Sequence, residues 1–111
     1  MEWSRKRHKR IGKMSNFKEI INGDQPVLVD FFAEWCGPCQ AMGPALKELA
    51  GDLDGKAKII KVDIDKNPGA ANAFQVRGVP TFMIFKNGKV VWRASGMMPK
   101  SELASAINKV A

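Results

Sequence analysis

A chain of 111 residues in which 45% are hydrophobic and 26% charged can bury one core unaided and has no room for two. No stretch is apolar for long enough to cross a membrane as a helix, and no repeat or low-complexity run points to a fibrous or disordered protein. The net charge of +7 is lopsided: residues 1–14 hold six Lys/Arg against Glu2 alone, whereas the remaining residues hold twelve against ten acids.

The basic end (Arg5, Lys6, Arg7, Lys9, Arg10 and Lys13) has no apolar periodicity. Charge of this kind attracts nucleic acid or an anionic membrane, but Trp3 is its only aromatic and no stacking series accompanies it. A solvated, disordered tail is therefore expected, with nucleic-acid contact the less favoured alternative. No apolar segment follows the basic start, which argues against a secretory signal. Met14-Ser15-Asn16-Phe17 reads as a natural start, making residues 1–14 an extension and residues 15–111 the domain.

Ser15 is placed to cap a short helix that carries Phe17, Ile20 and Ile21 on one side and that Gly23 ends. After a turn at Asp24-Gln25-Pro26, residues 27–33 are apolar at both alternating sets, as in a strand covered on two faces, and only Asp30 interrupts them. A helical pattern then starts at Pro38, which suits a first turn because no N–H is needed there. Met42, Ala45, Leu46 and Leu49 form its apolar side, Gly51 supplies a stop, and Pro44 should kink it.

Residues 58–64 form a second strand with Ile60, Val62 and Ile64 on one face and Ile59, Lys61 and Asp63 on the other. Strand, helix, strand in this order implies a right-handed parallel crossover. Asn67-Pro68-Gly69 opens a short helix through Ala70, Ala71, Ala73 and Phe74, and Arg77-Gly78-Val79-Pro80 is a loop. Residues 81–85 and 90–92 flank Lys86-Asn87-Gly88-Lys89, a hairpin signal because both central residues tolerate positive φ. Gly96 ends that strand, and Pro99 opens a last helix with Leu103, Ala106, Ile107 and Val110 along one stripe. The fold class is α/β, a mixed central sheet of at least four strands with helices on both faces.

Cys36 and Cys39, the only cysteines, sit where the first long strand gives way to its helix. A structural staple across so short a loop would remove only about 2 kcal/mol of chain entropy. A closed zinc site needs four ligands, and the chain adds only His8 to the two thiols. Covalent haem attachment would require His at position 40, which is Gln. Redox chemistry is left. Unpaired N–H groups at a helix start favour a thiolate, and Cys36, read as exposed at that start, gains most. Cys39, one turn further in, is placed to attack whatever becomes attached to Cys36. Two other ionisable groups are candidates. A carboxylate in a strand buried on both faces is costly, so Asp30 should favour its neutral form. From the residues alone it is equally a proton acceptor for Cys39 or an inert acid satisfied by hydrogen bonds. Lys61 reads, alone, as a solvated surface lysine.

Trp35-Cys36-Gly37-Pro38-Cys39, with Val29-Asp30-Phe31 before it and Gly78-Val79-Pro80-Thr81 and Lys86-Asn87-Gly88 after it, resembles the thioredoxin family from about residue 17 to residue 111. The resemblance implies a thioredoxin fold. The family's usual edge strand would fall near residues 7–13, where Ile11 is the only apolar residue, so a fifth strand is left open. It also implies a protein-disulfide reductase: Cys36 attacks a substrate disulfide, and Cys39 resolves the mixed disulfide and closes the Cys36–Cys39 bond. By resemblance Asp30 serves the buried cysteine, Lys61 lies beside Asp30 and biases its ionisation, and Pro80 follows a cis bond facing the disulfide. Val79 then pairs with the substrate chain, on an apolar surface made with Trp35, Gly37, Pro38, Pro80 and Gly96. Met97 stands where the family usually has a smaller residue; simple packing is the plainer reading, and a wider substrate range the other.

No cofactor is expected beyond the redox disulfide, and no metal. Electrons would come from a partner reductase of the thioredoxin-reductase kind, and the partners would be disulfide-containing proteins, with the chain itself a monomer. With no cysteine left for a structural bridge, a reducing compartment, the cytoplasm, is expected. A disulfide oxidase or isomerase is the alternative within the enzyme class, disfavoured by Pro38 where similar oxidising enzymes carry His. A non-redox binding subunit using the same face is the alternative outside it.

Overall fold

The computed structural model describes the backbone of residues 8–10 and 14–111 and the side chains of residues 17–111. In chain order the elements are β1 (His8–Arg10), α1 (Met14–Ile21), β2 (Val27–Phe32), α2 (Gly37–Ala41), α3 (Gly43–Leu53) and β3 (Lys58–Asp63), followed by α4 (Pro68–Ala73), β4 (Thr81–Lys86), β5 (Lys89–Ser95) and α5 (Lys100–Val110). The sheet runs β1-β3-β2-β4-β5. β3 is parallel to β1 and β2, while β4 is antiparallel to β2 and β5 to β4.

All six residues of β2 are buried, as their two-sided apolar pattern requires. Alternation along the strands sorts the core into two layers. Leu28, Ile59, Phe82 and Ile84 meet Leu46, Leu49 and Leu53 of α3 and Leu103, Ala106 and Ile107 of α5. Val27, Val29, Phe31, Ile60, Val62, Met83 and Phe85 face Phe17 and Ile21 of α1 and Ala70 of α4. In that second layer Phe85 stands edge-on to both Phe17 and Phe74, at 5.4 and 5.1 Å between ring centroids. Edge-to-face contact sets the ring's negative face against positive ring hydrogens, worth about 0.5–1.5 kcal/mol a pair beyond area burial.

Four local expectations change. His8–Arg10 pairs in parallel with Ile59–Lys61, so a fifth strand forms inside the segment read as an extension, and the expected boundary at residues 14/15 is not where the sheet begins. An edge strand is held by backbone hydrogen bonds and tolerates charged residues, so it needs no apolar alternation to announce it. Residues 1–7 and 11–13, where the remaining tail was expected to be solvated, lie outside the described residues. The first helix starts at Met14, ahead of the expected cap Ser15. The helix after the cysteines divides at Met42, and Pro44 falls in the first turn of α3, because the proline ring leaves no N–H for the preceding turn. That helix also runs past Gly51 to Leu53 and ends on Asp54 in the left-handed conformation at φ 44°. Burial of Leu53 is enough to carry the helix through an exposed glycine. The hairpin is as expected, with Asn87 and Gly88 at φ 55° and 78°.

Leu46 is fully buried between sheet and helices. Leu46→Ala should therefore destabilise the fold by about 2–5 kcal/mol, read as a lowered urea midpoint with an unchanged slope.

Candidate active site

Because β2, β3 and β5 run one way and β4 the other, the connections after β2, after β3, before β4 and after β5 gather at one end of the sheet. The first carries Ala33, Glu34, Trp35 and Cys36 into α2. Cys36 is the N-cap of α2 in an extended conformation, and its sulfur accepts the Cys39 backbone N–H at 3.2 Å. Proline in the first turn costs no hydrogen bond there. Cys36 and Cys39 are joined as a disulfide, the oxidised state of the couple.

The expected exposure of Cys36 is not found: the residue is 4% exposed and Cys39 3%. The cysteines pack with Phe32 and Ala33, with Ile64 and Val79 against the same cluster. What separates the two sulfurs is their surroundings. Cys36 Sγ holds the cap position and lies 3.7 Å from the Val79 carbonyl oxygen. Cys39 lines an open cleft of about 180 Å³ with Phe32, Ala33, Glu34, Gln40 and Lys61.

Asp30 projects to the same side of β2 as Leu28 and Phe32, towards the layer covered by α3. It is fully buried, and neither carboxyl oxygen has a hydrogen-bond partner among the described residues. No described residue supplies the hydrogen bonds that the inert-acid reading called for. Burial pushes its pKa up to about 7, and the positive charge of Lys61 pulls it part of the way back. Lys61 stands opposite Asp30 in the parallel β2–β3 register. It is half-buried, not a fully solvated lysine, and its amine sits 4.6 Å from the centroid of the Phe32 ring.

Around the disulfide, Trp35 is 70% exposed and Gly37 and Pro38 are exposed. Val79 is half-buried, Pro80 is buried, and the bond between them is cis. Gly96 turns the chain at φ 91° and donates its N–H to the Pro80 carbonyl at 2.8 Å, which ties the loop after β5 to the loop before β4. A left-handed φ of this size suits glycine because it has no Cβ. The two methionines divide: Met98 packs on the core, whereas Met97 is 55% exposed, so simple packing does not account for Met97.

The structure adds residues that sequence reasoning passed over. The Trp35 indole N–H donates to Asp65 Oδ2 at 2.8 Å, and Lys66 pairs with Glu34 at 3.4 Å. Asp63 shapes that loop by accepting the Asp65 and Lys66 N–H groups on Oδ1 at 2.9 and 3.3 Å. Asp63-Ile64-Asp65 following a strand is a turn signal that would have located the loop, though not its contact with Trp35. Among the described residues, no three His, Cys, Asp or Glu side chains gather as a metal site. No helix among the described residues is long and apolar enough to cross a membrane.

A Cys-x-x-Cys pair at a helix start can exchange disulfides, and the chain is similar to known proteins. The thioredoxin family model matches residues 9–109. The chain is 47% identical to thioredoxin 2 of Chlorobaculum tepidum over 95 residues, covering 85% of this chain and 87% of that one. It is 50% identical to a thioredoxin of Staphylococcus haemolyticus, over 86% and 90% of the two chains. A mutant thioredoxin from Halobacterium salinarum superposes with a TM-score of 0.86 at 32% identity, covering 94% of this chain and 90% of that one. The chain belongs to the thioredoxin family.

Proposed function

We propose that this chain reduces disulfide bonds in other proteins by cycling Cys36 and Cys39 between dithiol and disulfide. The observation that carries the reading is the sulfur of Cys36 at the cap of α2, with the Cys39 N–H directed at it and the Val79 carbonyl beside it. In the reduced protein the same N–H would stabilise a Cys36 thiolate. That thiolate attacks one sulfur of the substrate disulfide, forming a Cys36–substrate bond while the other substrate sulfur leaves with the electron pair and takes up a proton. Cys39 then loses its proton to Asp30 and attacks Cys36 Sγ. The second substrate sulfur leaves and is protonated, so two electrons have passed from the dithiol to the substrate.

Asp30 suits the acceptor role because burial lifts its pKa to about 7, far closer to a thiol than an ordinary carboxyl group is. Lys61 keeps the ionised form accessible. The cleft that Cys39 and Lys61 line has room for several waters. Trp35, Gly37, Pro38, Val79, Pro80 and Gly96 receive the substrate chain, and exposed Met97 adds a deformable contact at the rim. A separate reductase of the kind the family implies returns the electrons, and the chain works as a monomer in the cytoplasm. Use of both cysteines in the cycle supports a reducing compartment.

Direction of electron flow is tested by equilibrating the Cys36–Cys39 couple with graded glutathione buffers and counting free thiols by alkylation. The disulfide should persist in a large excess of reduced glutathione; complete reduction in mildly oxidising buffer would make the protein a disulfide donor. The role of Asp30 predicts a pH step. In stopped-flow exchange with a disulfide substrate, the resolving step should quicken as pH rises through about 7. Asp30→Asn should slow that step more than the first attack and abolish its pH step.

Stability carries the opposite sign. Below the ordinary value of 3.8, Asp30 is protonated in folded and unfolded chains alike and costs nothing extra. Between that value and about 7 the unfolded chain releases the proton while the folded one retains it, so native stability falls as pH rises. Over this window Asp30→Asn should gain on the wild type by about 4 kcal/mol, levelling off above pH 7, as measured by urea unfolding from pH 4 to pH 8.

A further inference from the structure

The segment that brings Val79 to Cys36 leaves α4 at Phe74 and enters β4 at Thr81, and it contains no regular structure to hold its course. Its anchors come from β5. Arg93 and Ser95 are two apart, so their side chains project from one face of the sheet, the face on which their partners Met83 and Thr81 also lie. Met83 belongs to the layer beneath α1 and α4, which places Arg93 under the end of α4. Its Nη1 and Nη2 donate to the Phe74 and Gln75 carbonyls at 2.5 and 2.8 Å. Two carbonyls at a helix end are thereby satisfied by one planar fork, where the chain takes the left-handed turn at Gln75, φ 53°.

The far end of the segment is held from the same strand. Thr81 Oγ1 donates its only hydrogen to the Gly78 carbonyl at 2.6 Å. Its contact with Ser95 Oγ at 3.1 Å must therefore have Ser95 as the donor. The Thr81 hydroxyl thus closes the turn Gly78–Thr81 around Val79 and Pro80, and Ser95 orients that hydroxyl while Gly96 holds the Pro80 carbonyl. Arg93 and Ser95 touch neither sulfur. They fix both ends of the segment whose middle carries the Val79 carbonyl, 3.7 Å from Cys36 Sγ.

We infer that Arg93 and Ser95 are positioning residues for the protein substrate, setting where Val79 meets the incoming chain relative to Cys36. The inference rests on the reading of Val79 as the residue that receives that chain. A small aromatic disulfide, which needs only the sulfurs, is indifferent to the segment; a protein disulfide, which must pair along it, is not. The fork matters as much as the charge, because a lysine cannot serve two carbonyls in the same plane.

The test compares steady-state reduction of insulin with that of a small aromatic disulfide, using the full chain at a temperature where every variant is folded by circular dichroism. Loss of these bonds in Arg93→Ala should raise KM for insulin about fivefold to tenfold, with kcat much less affected and small-disulfide reduction within about twofold. Arg93→Lys should not restore KM. Ser95→Ala should produce a smaller shift in the same direction and Ser95→Thr, which keeps the hydroxyl, should reverse it; this pair serves even if Arg93→Ala fails to fold. Equal effects on both substrates, or none on either, would overturn the inference, because loss of stability alone does not separate the two. Failure of the wild type to reduce insulin at all would instead overturn the functional reading on which it rests.

Discussion

Burial of β2 on both faces is the constraint from which the rest of the structure follows. The strand lies at the centre of the sheet, between β3 and β4, and all six of its residues are withdrawn from solvent. A strand so held cannot slip in register without turning its large side chains into the wrong layer. Its end is consequently a fixed point, and the cysteine pair is built within a few residues of it. The same burial gives Asp30 its character, since a carboxyl group placed there is withdrawn from bulk solvent and finds no hydrogen-bond partner among the described residues.

The two cysteines differ through their surroundings more than through accessibility. Both are almost fully covered, yet one occupies a helix cap and meets the Val79 carbonyl, while the other lines a cleft beside Lys61. Backbone dipoles at the cap act only on the sulfur they point at. Desolvation of Asp30 acts from beneath the sheet's own surface, on the side towards which α3 packs. Two chemically identical side chains thus stand in different surroundings, one at a helix start and the other on a cleft beside Lys61.

The division of labour between centre and edge is equally physical. Central strands hold the acid and deliver the cysteines. β5 is an edge strand whose residues are mostly exposed or half-buried, and its side chains reach across to loops that strand pairing alone would leave unsupported. β1, at the opposite edge, is held by its parallel pairing with β3.

Much of this was decided locally and can be read without coordinates. Two-sided hydrophobicity identified β2, alternation sorted the faces of β3, Asn87-Gly88 specified the hairpin, and the Cys-Gly-Pro-Cys spacing placed the redox pair at a helix start. Each is a short-range consequence of backbone sterics or of side-chain periodicity. The charged edge strand His8–Arg10 left no such trace, because its pairing uses backbone groups common to every residue. Nor could spacing reveal that Lys61 stands opposite Asp30, that Asp65 holds the Trp35 indole, or that Arg93 and Ser95 secure the segment before β4. Those contacts join residues 14 to 31 positions apart, and they exist only once the strands are in register and the layers packed. The sequence by itself determined which sulfurs react and which strand buries the acid; tertiary structure alone decided how covered those sulfurs are and which distant side chains hold the surface around them, because burial and long-range hydrogen bonds are properties of the packed chain.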